Sequence, residues 1–354
     1  MTNQMGISRR QVIAAAGAAF GAQAVPVNGA LRALTSDHAP HHVPRAKRIV
    51  QLFMAGAPSS LDLFDDKQAL RKHDGQPVPD ELLKGQRFAF LKGVPNLLGS
   101  PYSFRHYGQS KAEISELLPH TAAIADRLAF VKSVHTTPFN HGPAQVFANT
   151  GHHLVGRPSL GSWLLFGLGA EAHSLPGYCV LVSGKIDPGA GSACWGNGFL
   201  PSTMQGVELR TRGDLVPCVG DPKTMDRKAR KRGIDLLDDL NAQRHEQIRD
   251  PEILARSEAY RLAYRMQGSI PELADLASEP EHVHRMYGSR PGQRSFANNC
   301  LLARRLLERG VRHVQVIHRG WDHHGSNKSD DLLHALPQLC RQTDQAAAAL
   351  VLDL

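Results

Sequence analysis

Four short apolar runs, each followed by turn-forming residues, constrain this chain more than any other feature. They cover residues 48–54 (RIVQLFM), 128–134 (LAFVKSV), 178–182 and 311–317. An apolar run of that length with turn chemistry behind it reads as a strand, and the last run alternates as a strand does. Stretches with helical spacing lie between them. These are 114–125, with Ile114, Leu117, Leu118 and Ala122 in register; 143–149, ended by Gly151; 162–168, closing at Gly169; 226–265, with Ile234, Leu237, Leu240 and Ile248; 295–309, stopped by Gly310; and 332–354. Strands alternating with helices predict an α/β fold with a mainly parallel sheet.

At 354 residues the chain has room for one large domain or two small ones, and for a sizeable core. Hydrophobic residues make up 42% and charged residues 21%, and no apolar run approaches the ~18 residues of a membrane span. A polytopic membrane protein, a collagen-like chain and a wholly disordered one are thereby excluded. The formal charge is +8, but its basic residues sit partly in the first residues (Arg9, Arg10, Arg45, Lys47, Arg48) and partly in the run 223–232. No aromatic residues interleave with that run, so a nucleic-acid partner is not expected; it reads as a solvated face or an anion-attracting surface. Five cysteines (Cys179, Cys194, Cys218, Cys300, Cys340) contain no CxxC pair, which disfavours a zinc knuckle. One bridge among the first three, or buried free thiols, both fit.

Ser8-Arg9-Arg10 precedes a small, weakly apolar stretch, and Ala22-Gln23-Ala24 fits a small-x-small cleavage pattern. This predicts a twin-arginine export signal over residues 1–24, a linker over 25–46 and a folded domain from 47 to 354. A loop-rich insertion or lid is expected over about 184–290, where glycine and proline first dominate.

The chemistry is expected just past the strands, because open α/β sheets bind ligands beyond the carboxyl ends of their strands. After 311–317 comes Gly320-Trp321-Asp322-His323-His324-Gly325, a carboxylate beside two imidazoles, as zinc, manganese or iron would use, or else a satisfied loop in which Asp322 caps the next segment and the histidines bond to backbone. After 128–134 comes Asn140-His141-Gly142-Pro143, which places Asn140 or His141 at a helix N-terminus. Arg157 can clamp an oxyanion or sit in a surface ion pair. After 48–54 come Asp62 and Asp65, each a metal ligand or a helix cap. GxGxxG, GxxxxGK[ST] and GxSxG are absent, so nucleotide-binding signatures and a nucleophile elbow are not expected.

Four stretches together resemble a known family: Ser8-Arg9-Arg10, QLFMAGAPSSLDLFD (51–65), NHGPAQVFANTGHHLVGRPSLGSWLLFGLG (140–169) and GWDHHG (320–325). From about residue 45 onward the chain is similar to the exported domain-of-unknown-function 1501 family, which is related to the alkaline phosphatase and sulfatase superfamily. The resemblance implies an alkaline-phosphatase-like α/β/α sandwich with a divalent metal, zinc, manganese or calcium, at the carboxyl edge of its sheet. It implies hydrolysis of a phosphate or sulfate ester on a small molecule or glycan. Asp322, His323 and His324 stand where the superfamily holds one metal. His141 stands where its nucleophile opens a helix leading to Thr150-Gly151, and there it would accept the phosphoryl group, bind metal, or mark a lost reaction. Gly56 occupies the place of an aspartate at the end of the first strand, with Asp62 the nearest substitute. Family members continue past the last helix into another strand, a Glu-Phe-Gly-Arg-type motif and a His-rich loop, so the domain is expected to be incomplete at its C-terminal end. Two functions follow as expectations: an exported periplasmic or cell-envelope metal-dependent ester hydrolase, or a non-catalytic exported binding protein or degenerate fragment with the same fold.

Overall fold

The computed structural model describes residues 42–85, 93–185, 189–210, 215–216 and 226–354. The twin-arginine motif, Ala22-Gln23-Ala24, His38, His41, Cys218 and the first part of the run 223–232 lie outside the described residues.

A four-stranded parallel sheet organises the chain, in the order β1 (Ile49–Ala55), β6 (His313–Arg319), β4 (Tyr178–Gly184), β5 (Val207–Leu209). Its neighbours are far apart in sequence: Ile49 pairs with His313 and Ala55 with Arg319. A separate antiparallel ribbon joins β2 (Phe104–Tyr107) to β3 (Ala112–Ser115). The helices among the described residues are α1 (Ser60–Leu63), α2 (Gln68–Lys72), α3 (Asp80–Leu83), α4 (Pro119–Ala123), α5 (His141–Thr150), α6 (Leu160–Leu168), α7 (Arg227–Ile248), α8 (Pro251–Ala274), α9 (Glu281–Tyr287), α10 (Phe296–Glu308) and α11 (Ala335–Asp353). None is long and apolar enough to cross a membrane.

Both faces of the sheet are covered, as parallel sheets require. Alternate residues of β4 divide between two cores. Cys179 and Leu181 pack with Leu301, Leu302 and Leu306 of α10 and with Ala346 and Leu350 of α11. Tyr178, Val180 and Val182 pack with Leu165 of α6, Trp195 and Ile317. A Cβ at Gly161 would lie 2.4 Å from the Tyr178 ring and 2.6 Å from the His313 ring, so α6 can sit this close only with glycine there. Helix α10 begins as its sequence suggests, with the Ser295 hydroxyl accepting from the amide of Asn298. Across the domain, the buried Asp344 carboxylate of α11 accepts from the amides of His120 and Thr121 and caps α4.

Two sequence expectations are corrected. Residues 128–134 form no strand: Val131 and Val134 are exposed and, among the described residues, no strand pairs with them, so β propensity alone does not order them. The helix expected over 114–125 is split. Ile114 lies in β3 opposite Arg105, and only α4 is helical, because the apolar positions there served two different periods. The strand expected over 311–317 is present as β6. β6 is central, and its polar alternates are buried. The strand beside β4 is instead β5, three residues within the stretch where regular patterning fades. Residues 226–265 are helical but broken at Asp250, which caps α8 ahead of Pro251. Of the thiols, Cys179, Cys194, Cys300 and Cys340 are free and buried.

Candidate metal centre

Strands β1, β6 and β4 end level with one another, at Ala55, Arg319 and Gly184. The chain leaving β6 is fastened at once. The Trp321 amide donates to the Ala55 carbonyl (3.1 Å), and its indole, almost fully buried, donates to Nδ1 of His318 (3.2 Å). Gly56 lies directly beneath, with φ of 109°; a Cβ there would come within 2.6 Å of the Asp322 amide. This explains a glycine where the superfamily resemblance leads one to expect a carboxylate: the backbone of Trp321 and Asp322 fills the space.

Helix α5 supplies the second wall. Its first residue is His141, and Gly151 ends it in the left-handed conformation. Near its far end the buried Asn149 side chain accepts from Gln51 of β1 (3.1 Å) and Gln315 of β6 (2.7 Å) and donates to the Gln145 carbonyl (2.8 Å). Gln315 in turn accepts from the Tyr178 hydroxyl of β4 (2.5 Å). One buried amide thus bolts α5 to adjacent strands and aims its N-terminus past their carboxyl ends.

These constraints bring three candidate residues together. His141 Nε2 lies 3.0 Å from one oxygen of Asp322, and His324 Nε2 lies 2.8 Å from the other. A ligand atom from each falls within 4.8 Å of the others, the only such group among the described residues. His141 and Asp322 are each about one-third exposed, whereas His324 is 68% exposed and faces solvent. Two imidazole nitrogens and a carboxylate oxygen, with an open side, form a three-ligand set of the kind that holds a divalent cation and leaves a coordination position free. The partial positive charge of the α5 N-terminus lies at the same place.

Asp330, missed by sequence reasoning, shapes the loop. It accepts from the His324 amide (2.9 Å) and the Ser326 hydroxyl (2.5 Å), and its carbonyl receives the amides of His324 and Gly325. The Ser326 hydroxyl, followed by the His324 amide, holds its carboxyl below the usual range. The only signal in the sequence was a carboxylate closing the polar turn 326–330.

The other candidates are not part of this group. His323 is not part of the group. Its Nε2 is buried with no partner, and burial lowers its pKa. Asp62 is buried and accepts from the Ser59 (2.6 Å) and Ser100 (2.7 Å) hydroxyls, which leaves it outside the cluster. Asp65 pairs with Lys67 and Lys132. Asn140 is the N-cap of α5 but makes no side-chain capping bond, and Arg157 is exposed in the loop between α5 and α6. His152 and His153 stack on one another, 4.7 Å apart.

No curated protein and no solved structure matches the chain. A family model described as a protein of unknown function (DUF1501) matches residues 46–354, which include β1, the Gly56 turn, α5 and the Asp322 loop, and the chain belongs to that family.

Proposed function

We propose that this protein is an exported, metal-dependent hydrolase of phosphate or sulfate esters, related to the alkaline phosphatase and sulfatase superfamily, with His141, Asp322 and His324 holding one divalent cation. The observation that carries this reading is the convergence of two imidazoles and a carboxylate at the carboxyl edge of a parallel sheet. The donor set favours zinc or manganese over calcium, since imidazole suits the former and calcium prefers an all-oxygen shell. When bound, such a cation supplies Lewis-acid chemistry, withdrawing charge from an ester oxygen and making water more acidic.

The chain's own residues have separable tasks. Asp322 keeps both imidazoles turned toward one point, and Asp330 holds the His324 backbone still. His141, expected at the reacting group, serves as a ligand in this reading. Asn140, exposed beside His141 at the start of α5, is the neighbouring group available to an ester oxyanion, with Arg157 in the loop after α5 the candidate cation for it. Export rests on the Ser8-Arg9-Arg10 leader, and it would place the protein in the periplasm or cell envelope.

A second reading is a non-catalytic exported binding protein. It draws on the fact that both Asp322 oxygens are already engaged by imidazoles. Metal analysis of the purified full chain separates the two, combined with p-nitrophenyl phosphate and p-nitrophenyl sulfate turnover. About one equivalent of metal in the parent, lost in Asp322→Ala together with turnover, supports the hydrolase. Equal metal content in parent and variant overturns it.

A further inference from the structure

A second concavity opens at the same edge of the sheet, on the face opposite α5. Its volume is about 600 Å³, and it lies between the loop leading into α10, the first turns of α11 and the ends of β4 and β6. The face is assigned by β6 itself. Gln315 bonds to α5, whereas His318, three residues on and of opposite parity, packs its ring edge-on against Phe296 of α10.

The charge in this cleft is of one sign. Lys185, Arg290, Arg294 and Arg341 line it, and no carboxylate does. Arg294 is braced by the Val182 carbonyl (3.3 Å) and Lys185 by the Ser329 carbonyl (3.0 Å), so both are positioned without being neutralised. Arg290, Arg294 and Arg341 are exposed, and among the described residues no acidic side chain pairs with any of them, whereas the more buried Arg71, Arg304, Arg305 and Arg312 are all held in ion pairs. Four cations gathered in one concavity repel one another and raise the local concentration of anions. Gln338 and Gln342 add amide groups to the wall. The aromatic residues lining it, Tyr287 and Phe296, are buried to 0% and 2% exposure and offer no open ring face for a base to stack on. The volume falls within the ~300–1,000 Å³ of small-molecule sites.

The geometry points to a polyanion-binding site in this cleft, taking a saccharide-sized molecule that bears two or more phosphate or sulfate groups on Lys185, Arg290, Arg294 and Arg341. Guanidinium groups match tetrahedral oxyanions two bonds at a time, and several such groups on one scaffold would engage cations on both walls. None of the cleft's lining residues belongs to the His141–Asp322–His324 group, so the inference stands without the metal reading.

Inositol hexakisphosphate and sucrose octasulfate are suitable probes, titrated calorimetrically into the full chain at low and high salt. Binding of either is expected, weakening as salt rises, with the tighter probe telling a phosphorylated ligand from a sulfated one. The double substitution Arg290→Gln, Arg341→Gln removes two exposed cations and should weaken binding about tenfold or more with an unchanged melting curve. Asp322→Ala and chelator-treated protein should bind as the parent does. Absence of binding by both probes overturns the proposal, as does unchanged affinity in the double variant. Loss of binding in Asp322→Ala would place the anion at the metal centre instead and also overturns it. Persistent binding alongside absent metal would sink the hydrolase reading and leave this one intact.

Discussion

The two faces of β6 solve different problems. On the α10 side, Val314 and Val316 meet Leu301, Leu302 and Leu306, all essentially inaccessible, in an apolar layer. On the α5 side, Gln315 meets Asn149 and Tyr178 in a network of amides and a phenol. Apolar contact is non-directional and contributes most to stability; the polar network contributes less but fixes one orientation of α5, and with it the position of His141. The geometry of the candidate metal centre thus depends on the orienting face, and the fold on the apolar one.

Acidification should have the largest effect, because it acts on both faces. Burial pushes His313 on the α5 side and His318 on the α10 side down to about 4. Their folded pKa values lie below the unfolded value near 6.5, so the unfolded chain binds more protons between those limits. The stability they contribute is complete above about pH 6.5 and is lost as pH falls toward 4, by about 3 kcal/mol for each. Urea unfolding at intervals across this window checks it; a midpoint independent of pH would contradict it. Leu306→Ala should cost about 2–5 kcal/mol in the same assay while leaving the metal affinity of the folded protein unchanged. Asn149→Ala should differ in reaching the site as well as the stability. A loss of about 1–3 kcal/mol is expected from stranding Gln51 and Gln315, together with weaker metal uptake as α5 loses its bolt. If Asn149→Ala lowers stability but not metal affinity, the division between the faces breaks down. Asp330→Asn should leave stability nearly unchanged and reduce metal affinity about tenfold or more, as loss of a supporting partner does; titration with zinc reads this directly.

How much of this was legible beforehand follows the same physics. β1 and β4 could be read as short, mainly apolar runs ahead of turns and β6 by its alternation, and α5, α6 and α10 because a cap or a glycine marks their ends. Asp322, His324 and His141 were each visible as polar residues in turns beyond an apolar run. Their meeting was not visible, since it depends on β1 and β6 being neighbours, and nothing local encodes that. Nor did the sequence say which of His323 and His324 faces Asp322, because one backbone rotation in the loop exchanges them. The strand expected before His141 is absent, yet the histidine is correctly placed: α5 is positioned by Asn149 at its other end rather than by a strand feeding into it. β5 escaped notice because three residues are too few to show a period.

The position of β6 also sets the order of assembly. It is the last strand of the described sheet in sequence, yet it lies between β1 and β4, both made long before it. Until it inserts, β1 has no partner in the sheet, Gly56 has no backbone to receive, and neither the cation group nor the basic cleft has its floor. Contacts closed over so long a stretch of chain form late. Ligand capture would therefore distinguish finished molecules from nascent ones, and a partly folded chain would be unable to sequester metal or anion on its way to the native state.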